Sequence, residues 1–244
     1  MKDAEWYVNW FNSPYYHLLY NNRSESEAQE LIDHLCELLH LPTKSKVWDM
    51  ACGKGRHAIA LSHKGLDVMG SDLSENSIAE ARKQEHDYLH FLVHDMLQPF
   101  RENSFHLVCN LFTSFGYFEN ESDNYKVFAN AAESLLPAGS FVIDYFNSAK
   151  VSRLDSSPYF EKRGDIVFSI EKTIRNNSII KRIEFTDQGH DYYFEETVNL
   201  LELVDFQKYG TAAGLKLKSI FGDYKLDPFD AATSDRLILL FEKP

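Results

Sequence analysis

The stretch Lys46–Arg56, KVWDMACGKGR, runs from an apolar segment (Val47, Trp48, Met50) into a turn in which small residues recur at Ala51, Gly53 and Gly55. A helix-like segment, Arg56–His63, follows. Small residues at this spacing let the backbone turn sharply at a strand end and let a ligand approach it closely. The helix N-terminus behind the turn offers unpaired N–H groups and a partial positive charge. A second apolar run, Leu66–Gly70, ends in Ser71-Asp72. An acid closing the second strand of a βαβ unit is where a nucleoside ribose is usually gripped. Turn and acid together read as a nucleoside-binding site.

The dinucleotide fingerprint places a third glycine three residues after the second. Here that position is Ala58, and an acid, Asp49, lies inside the strand two residues before the turn. The missing glycine disfavours a nicotinamide-dependent oxidoreductase. The spacing Asp49, Ala51, Gly53, Gly55 instead resembles motif I of class I S-adenosylmethionine-dependent methyltransferases, with alanine where glycine is usual at 51. The resemblance implies S-adenosyl-L-methionine as cofactor and S-adenosyl-L-homocysteine as product. It places the Gly loop (Ala51, Cys52, Gly53, Gly55) under the methionine part, Asp72 at both ribose hydroxyls and Asp95 near the adenine amino group, with Asp49, Arg56, Leu73 and Met96 also in the cofactor set. Asn110 and Leu111 complete the implied cofactor set.

From residue 46 onward strands and helices alternate. Strands are expected at 46–51, 66–71, 89–94, 105–111 and 140–146, and helices at 55–64, 75–86 (capped by Ser74) and 122–136. Continuous apolar strands alternating with helices signal a parallel sheet covered on both faces. Residues 165–174, 178–186 and 190–200 instead show a period of two, separated by Asn176-Asn177 and Asp187-Gln188-Gly189, which are hairpin signals. A helix at 202–213 and strands at 215–222 and 235–242 complete the sheet, the last antiparallel as the resemblance implies. The expected fold is α/β: a doubly wound, seven-stranded, mostly parallel Rossmann-like sheet with an antiparallel β insertion and an N-terminal helical lid. It reads as a single domain, 1–244, with a cap at 1–44, a core at 45–148 and 201–244, and the insertion at 149–200. Ser24-x-x-Glu27 forms a capping box for an amphipathic helix over 25–40, read as scaffold.

Ligands on such sheets sit outside the carboxyl ends of the strands, at the point where strand order reverses. Asn110–Phe118, NLFTSFGYF, resembles the stretch after strand four of small-molecule methyltransferases, including sugar-amine N-methyltransferases, which lines the methyl-transfer region. The expected acceptor-binding residues are Tyr15, Tyr16, Arg23, Ser114 and Tyr117. Tyr15, Tyr16 and Arg23 belong to the aromatic-rich segment 5–23, which reads either as a packed cap or as a lid. An amine acceptor needs only its neutral form, whereas a hydroxyl needs a general base, for which His17, Tyr117 and Asp144 are the candidates. Phe221–Tyr224 is a further segment that can reach the pocket.

The formal charge of −12, with no dense Lys/Arg cluster, disfavours a nucleic-acid partner and suits a small-molecule acceptor. Three irregularly spaced cysteines indicate reduced thiols, and no metal constellation is evident. No apolar run approaches a membrane span and no signal-peptide pattern opens the sequence, so a cytoplasmic monomer or homodimer is expected. Two other readings stay open: methylation of protein or RNA, and a non-catalytic nucleoside-binding protein of the same fold.

Overall fold

The computed structural model describes residues 6–20, 25–151 and 157–244. Its centre is β1 (Lys46–Met50), in which Val47, Trp48, Asp49 and Met50 are all buried, so the strand is covered on both faces. α4 (Arg56–His63) leads to β2 (Asp67–Asp72), and α5 (Glu75–Ala81) to β3 (Leu89–Val93). β4 (Phe105–Asn110), α6 (Glu121–Ser134), β5 (Leu135–Phe146) and the short α7 (Ser148–Val151) follow. The sheet is completed by β10 (Lys216–Phe221) and β11 (Arg236–Glu242), in the order β10-β11-β5-β4-β1-β2-β3. β11 runs antiparallel to both neighbours, and the strands from β5 to β3 are parallel. The chain reverses direction across the sheet between β4 and β1, which makes their carboxyl ends the switch point.

Strand alternation divides the core in two. Leu107 and Cys109 of β4, with Ile238 and Leu240 of β11, face a cluster formed with α4 and with α3 (Glu25–Leu39), where Leu31, Ile32 and Leu35 recur at helical spacing. Val108 and Leu239 face the other way, onto Val127 and Phe128 of α6 and Phe206 and Tyr209 of α8 (Leu203–Ala212). Helices on both faces give the doubly wound α/β architecture.

The second sheet is antiparallel: β6 (Tyr159–Arg163), β7 (Ile166–Arg175), β8 (Ser178–Asp187) and β9 (His190–Asn199), in that order. Asn176 and Asn177 both take positive φ, which a two-residue hairpin turn with the right twist requires. β6 was not expected. Its run Tyr-Phe-Glu-Lys-Arg lacks apolar alternation, and it is a strand because β7 offers it an edge. Two boundaries also differ. α5 stops at Ala81 in a 3-10 turn, Arg82–Gln84, rather than reaching 86. β5 begins at Leu135, and the Pro137-Ala138-Gly139 turn becomes an irregularity within it, with Ala138 at φ +59°.

α1 (Trp6–Phe11) and α2 (Pro14–Leu19) lie against this second sheet, where Trp10 and Leu19 join Ile166, Phe168 and Ile183 in a third apolar cluster. Glu196 of β9 receives Trp10 Nε1 at 2.6 Å and the Tyr20 hydroxyl at 2.7 Å. Between the two helices, the Asn12 side chain accepts from Ser74 Oγ at 3.0 Å and Asn76 N at 3.1 Å. The N-terminal segment thus spans from the second sheet to the end of β2. The capping residue Ser24 and the site candidate Arg23 lie outside the described residues.

Candidate active site

The turn after β1 needs left-handed backbone at alternate positions: Ala51 at φ +59°, Gly53 at +57° and Gly55 at +84°. This is the physical content of the small-residue spacing. An L-residue there costs about 1–2 kcal/mol, so Ala51 carries strain that the glycines avoid. A Cβ on Gly53 would project into open space, whereas one on Gly55 would lie 2.5 Å from the Phe91 ring. The first glycine therefore keeps the cleft floor clear, and the second allows the core to close behind the turn.

Asp72 ties the turn to β2. Its Oδ2 accepts from Gly53 N and its Oδ1 from Ser74 N, both at 2.8 Å. A carboxylate offers about four acceptor sites, so lone pairs remain on both oxygens. Burial pushes its pKa up, opposed by these backbone donors.

The turn, Asp72 and the corner after β4 enclose a cleft of about 600 Å³. Ala51, Cys52, Gly53, Lys54, Arg56 and His57 form one wall, and Leu111, Phe112, Ser114 and Tyr117 another. Phe11, Tyr16, His17 and Tyr20 of the N-terminal segment roof it. Arg56 stands 4.6 Å from the centre of the Phe112 ring and so joins the β1 turn to the β4 corner. Tyr117 packs edge-on against Trp6 and Phe11, and its hydroxyl donates to the Thr113 carbonyl.

Several expected site residues stand elsewhere. Tyr15 points away from the cleft, its ring against Phe185 and Tyr192 and its hydroxyl donating to Asp187 at 2.9 Å. Asp95 and Met96 follow β3 but do not line the cleft. The Asp95 carboxylate accepts from Leu97 N at 2.9 Å, and the Met96 carbonyl accepts from Asn130 at 2.9 Å. Leu73 faces solvent. Asn110 is wholly buried beneath the strand ends, donating to the Ser114 carbonyl at 3.2 Å. Asp144 is also wholly buried. Its Oδ1 accepts from Arg236 Nε at 2.7 Å and its Oδ2 from Phe112 N at 2.8 Å, and it does not line the cleft. Tyr224 reaches this pair through a 3.3 Å hydrogen bond to Asp144.

Other cleft residues escaped the sequence reading. His57 sits on the first turn of α4, and Glu25 and Gln29 show that α3 borders the cleft as well as bracing the sheet. Ser77 and Glu80 of α5 close the side near Asp72. Helical spacing reports which face is buried and carries no signal for polar residues at a rim.

Asp49 lies just below the turn, 1% exposed, and its Oδ2 has no hydrogen-bond partner among the described residues. Burial pushes its pKa up to about 7, helped by the charge of Asp72 and opposed by the Ala58 N–H and Arg56. The folded chain therefore holds a proton that the unfolded chain has already lost above about pH 4. Stability of the ligand-free protein should fall as pH rises from about 4 to 7, by up to a few kcal/mol. Asp49→Asn should flatten that fall, because asparagine does not titrate. Denaturant midpoints for both proteins across this range test it, and identical slopes would discard the assignment.

No helix among the described residues is long and apolar enough to cross a membrane. Residues 47–139 match a family described as a methyltransferase domain. The dTDP-3-amino-3,4,6-trideoxy-alpha-D-glucopyranose N,N-dimethyltransferase of Streptomyces venezuelae is 28% identical over 218 residues, covering 85% of this chain and 91% of its own. The glycine/sarcosine N-methyltransferase of Halorhodospira halochloris is 26% identical over 244 residues, covering 93% of this chain and 85% of its own. Among solved structures, an S-adenosylmethionine-dependent methyltransferase from Clostridium acetobutylicum superposes with a TM-score of 0.79 at 19% identity, covering 94% of this chain and 96% of the other. With the doubly wound sheet and the glycine turn at its switch point, these matches show an S-adenosylmethionine-dependent methyltransferase domain over residues 47–139.

Proposed function

We propose that the cleft holds S-adenosylmethionine against the β1 turn and that the enzyme methylates a nitrogen of a small-molecule acceptor. The observation that carries the reading is Asp72, whose carboxylate lines the cleft while its spare lone pairs suit the two ribose hydroxyls. Gly53 leaves room for the methionine part, and Arg56 and Ser77 border the same wall. The sulfonium supplies an already activated methyl group. What remains for the chain is alignment and exclusion of water. The roof of Phe11, Tyr16 and Tyr20 supports such exclusion, and rings also favour a sulfonium or an ammonium through cation–π attraction.

Two of the three candidate bases are already engaged, and the third, His17, lies on the cleft roof. Asp144 is consumed by Arg236 and Phe112 N, and Tyr117 donates its proton to a carbonyl. A neutral amine brings its own lone pair, whereas a hydroxyl must lose a proton to a base. Two relatives named for amine methylation, of an amino sugar nucleotide and of glycine or sarcosine, point to the amine.

The test supplies tritium-methyl S-adenosylmethionine with matched pairs of acceptors, amino sugars and small amino acids against their hydroxyl counterparts, alongside protein and RNA fractions. Label should enter amines and not the matched alcohols. Label confined to protein or RNA would overturn the acceptor class.

A further inference from the structure

Two consecutive residues after β4 adopt left-handed backbone, Phe112 at φ +59° and Thr113 at φ +61°. Neither is glycine, and a β-branched residue in that region is an outlier. Such conformations persist only where their surroundings over-determine them. Here the surroundings come from three distant parts of the chain. Asp144 Oδ2 accepts from Phe112 N at 2.8 Å, and the Asp144 carbonyl accepts from Thr113 N at 2.9 Å. Arg236, the first residue of β11, donates Nε to Asp144 Oδ1 at 2.7 Å and Nη2 to Thr113 Oγ1 at 2.9 Å. The Tyr224 hydroxyl completes the cluster on Asp144.

Every polar group of the strained pair that faces this cluster is therefore held by Asp144 or Arg236. The next residues of the same corner, Ser114 and Tyr117, line the cleft together with Phe112. A corner free to relax would turn the Phe112 ring away from Arg56 and shift the wall opposite the β1 turn. Asp144 does not line the cleft, so a proton-accepting role does not explain its placement.

We infer that Asp144 and Arg236 are a positioning pair, which locks the strained Phe112–Thr113 corner and so sets where the wall facing the transferred methyl stands. The inference rests on the reading of the cleft as the cofactor and acceptor site. The pair acts through Thr113, whose hydroxyl can be removed without disturbing the buried charges. Thr113→Val keeps the shape of the side chain and loses the bond to Arg236, while Thr113→Ser keeps the bond.

Two probes separate the corner from the rest of the site: S-adenosylhomocysteine, and sinefungin, which carries an amine-bearing carbon where the methylsulfonium stands. Dissociation constants for both are measured by calorimetry on the parent enzyme, the two Thr113 variants and Arg236→Lys, with melting curves to confirm folding. In Thr113→Val, S-adenosylhomocysteine affinity should stay within about twofold while the preference for sinefungin changes about tenfold, the size of one well-made hydrogen bond. Thr113→Ser should retain the parent ratio, and Arg236→Lys should follow the valine variant. An unchanged ratio in folded Thr113→Val and Arg236→Lys, or a serine variant that behaves like valine, would overturn the inference alone. A parent enzyme that binds neither compound would overturn the reading of the cleft, and the inference with it.

Discussion

Replacing Asp72 by alanine is expected to weaken S-adenosylhomocysteine binding about 300-fold, the equivalent of two hydrogen bonds to a charged acceptor at about 1.5–2 kcal/mol each. The size of the loss reflects how the carboxylate is already used. Gly53 N and Ser74 N take one position on each oxygen, which fixes the plane of the carboxylate and leaves its remaining lone pairs directed by the backbone. A ribose meeting such a preoriented group loses little freedom beyond its own. Alanine removes both sugar contacts and also frees the Gly53 amide, so the turn loses its tie to β2. Asp72→Asn separates these effects. The amide can keep one backbone donor and accept one hydroxyl, and its loss should be about tenfold. Calorimetric titration of the three proteins provides the comparison, and parent-like affinity in the alanine variant would remove the ribose from Asp72.

The sequence singles out both Asp72, which lines the cleft, and Asp95, which does not, and the difference has a physical reason. Motif I and Asp72 are local features: three left-handed positions in one turn, and an acid ending the next strand. Their geometry is set within a few residues of chain. Asp95 also ends a strand run, but its loop is set by a bond from Asn130 on α6 to the Met96 carbonyl, a contact 34 residues away. Asp144 looked like a base because its partner Arg236 lies 92 residues further on. The N-terminal rings posed a different problem. α1 and α2 are six residues each, too short to show a period that tells Tyr16, in the cleft, from Tyr15, on the second sheet. The sheet itself was legible because alternation and helical spacing are repeated in every βα unit. β6 was not, because an edge strand is defined by its neighbour more than by its own residues.

Gly55→Ala is expected to destabilise the protein by about 2–5 kcal/mol, summing about 1–2 for left-handed backbone and about 1–3 for overpacking. In a chain of this size that corresponds to a melting temperature lower by about 10 °C. Both terms have a visible origin. Gly55 is at φ +84° as the residue that opens α4, and its missing Cβ lets the Phe91 ring pass at 2.5 Å from where that atom would be. The same ring edge also fills the space above Gly70, where a Cβ would lie 2.6 Å from it, so Phe91 is wedged between two glycines and cannot step aside. Shortening the ring separates the terms. In Gly55→Ala/Phe91→Leu the clash disappears and the backbone penalty stays, so the pair should couple favourably by about 1–2 kcal/mol in a double-mutant cycle. Gly53→Ala gives the opposite profile. Its Cβ meets nothing, so folding should lose only about 1–2 kcal/mol, while the methyl intrudes on the cleft floor and weakens S-adenosylhomocysteine binding. Denaturation and calorimetry on these variants distinguish a turn that shapes the core from a turn that receives the cofactor. Equal stability losses at 53 and 55 would show that backbone strain alone governs both positions and that the Phe91 wedge contributes nothing.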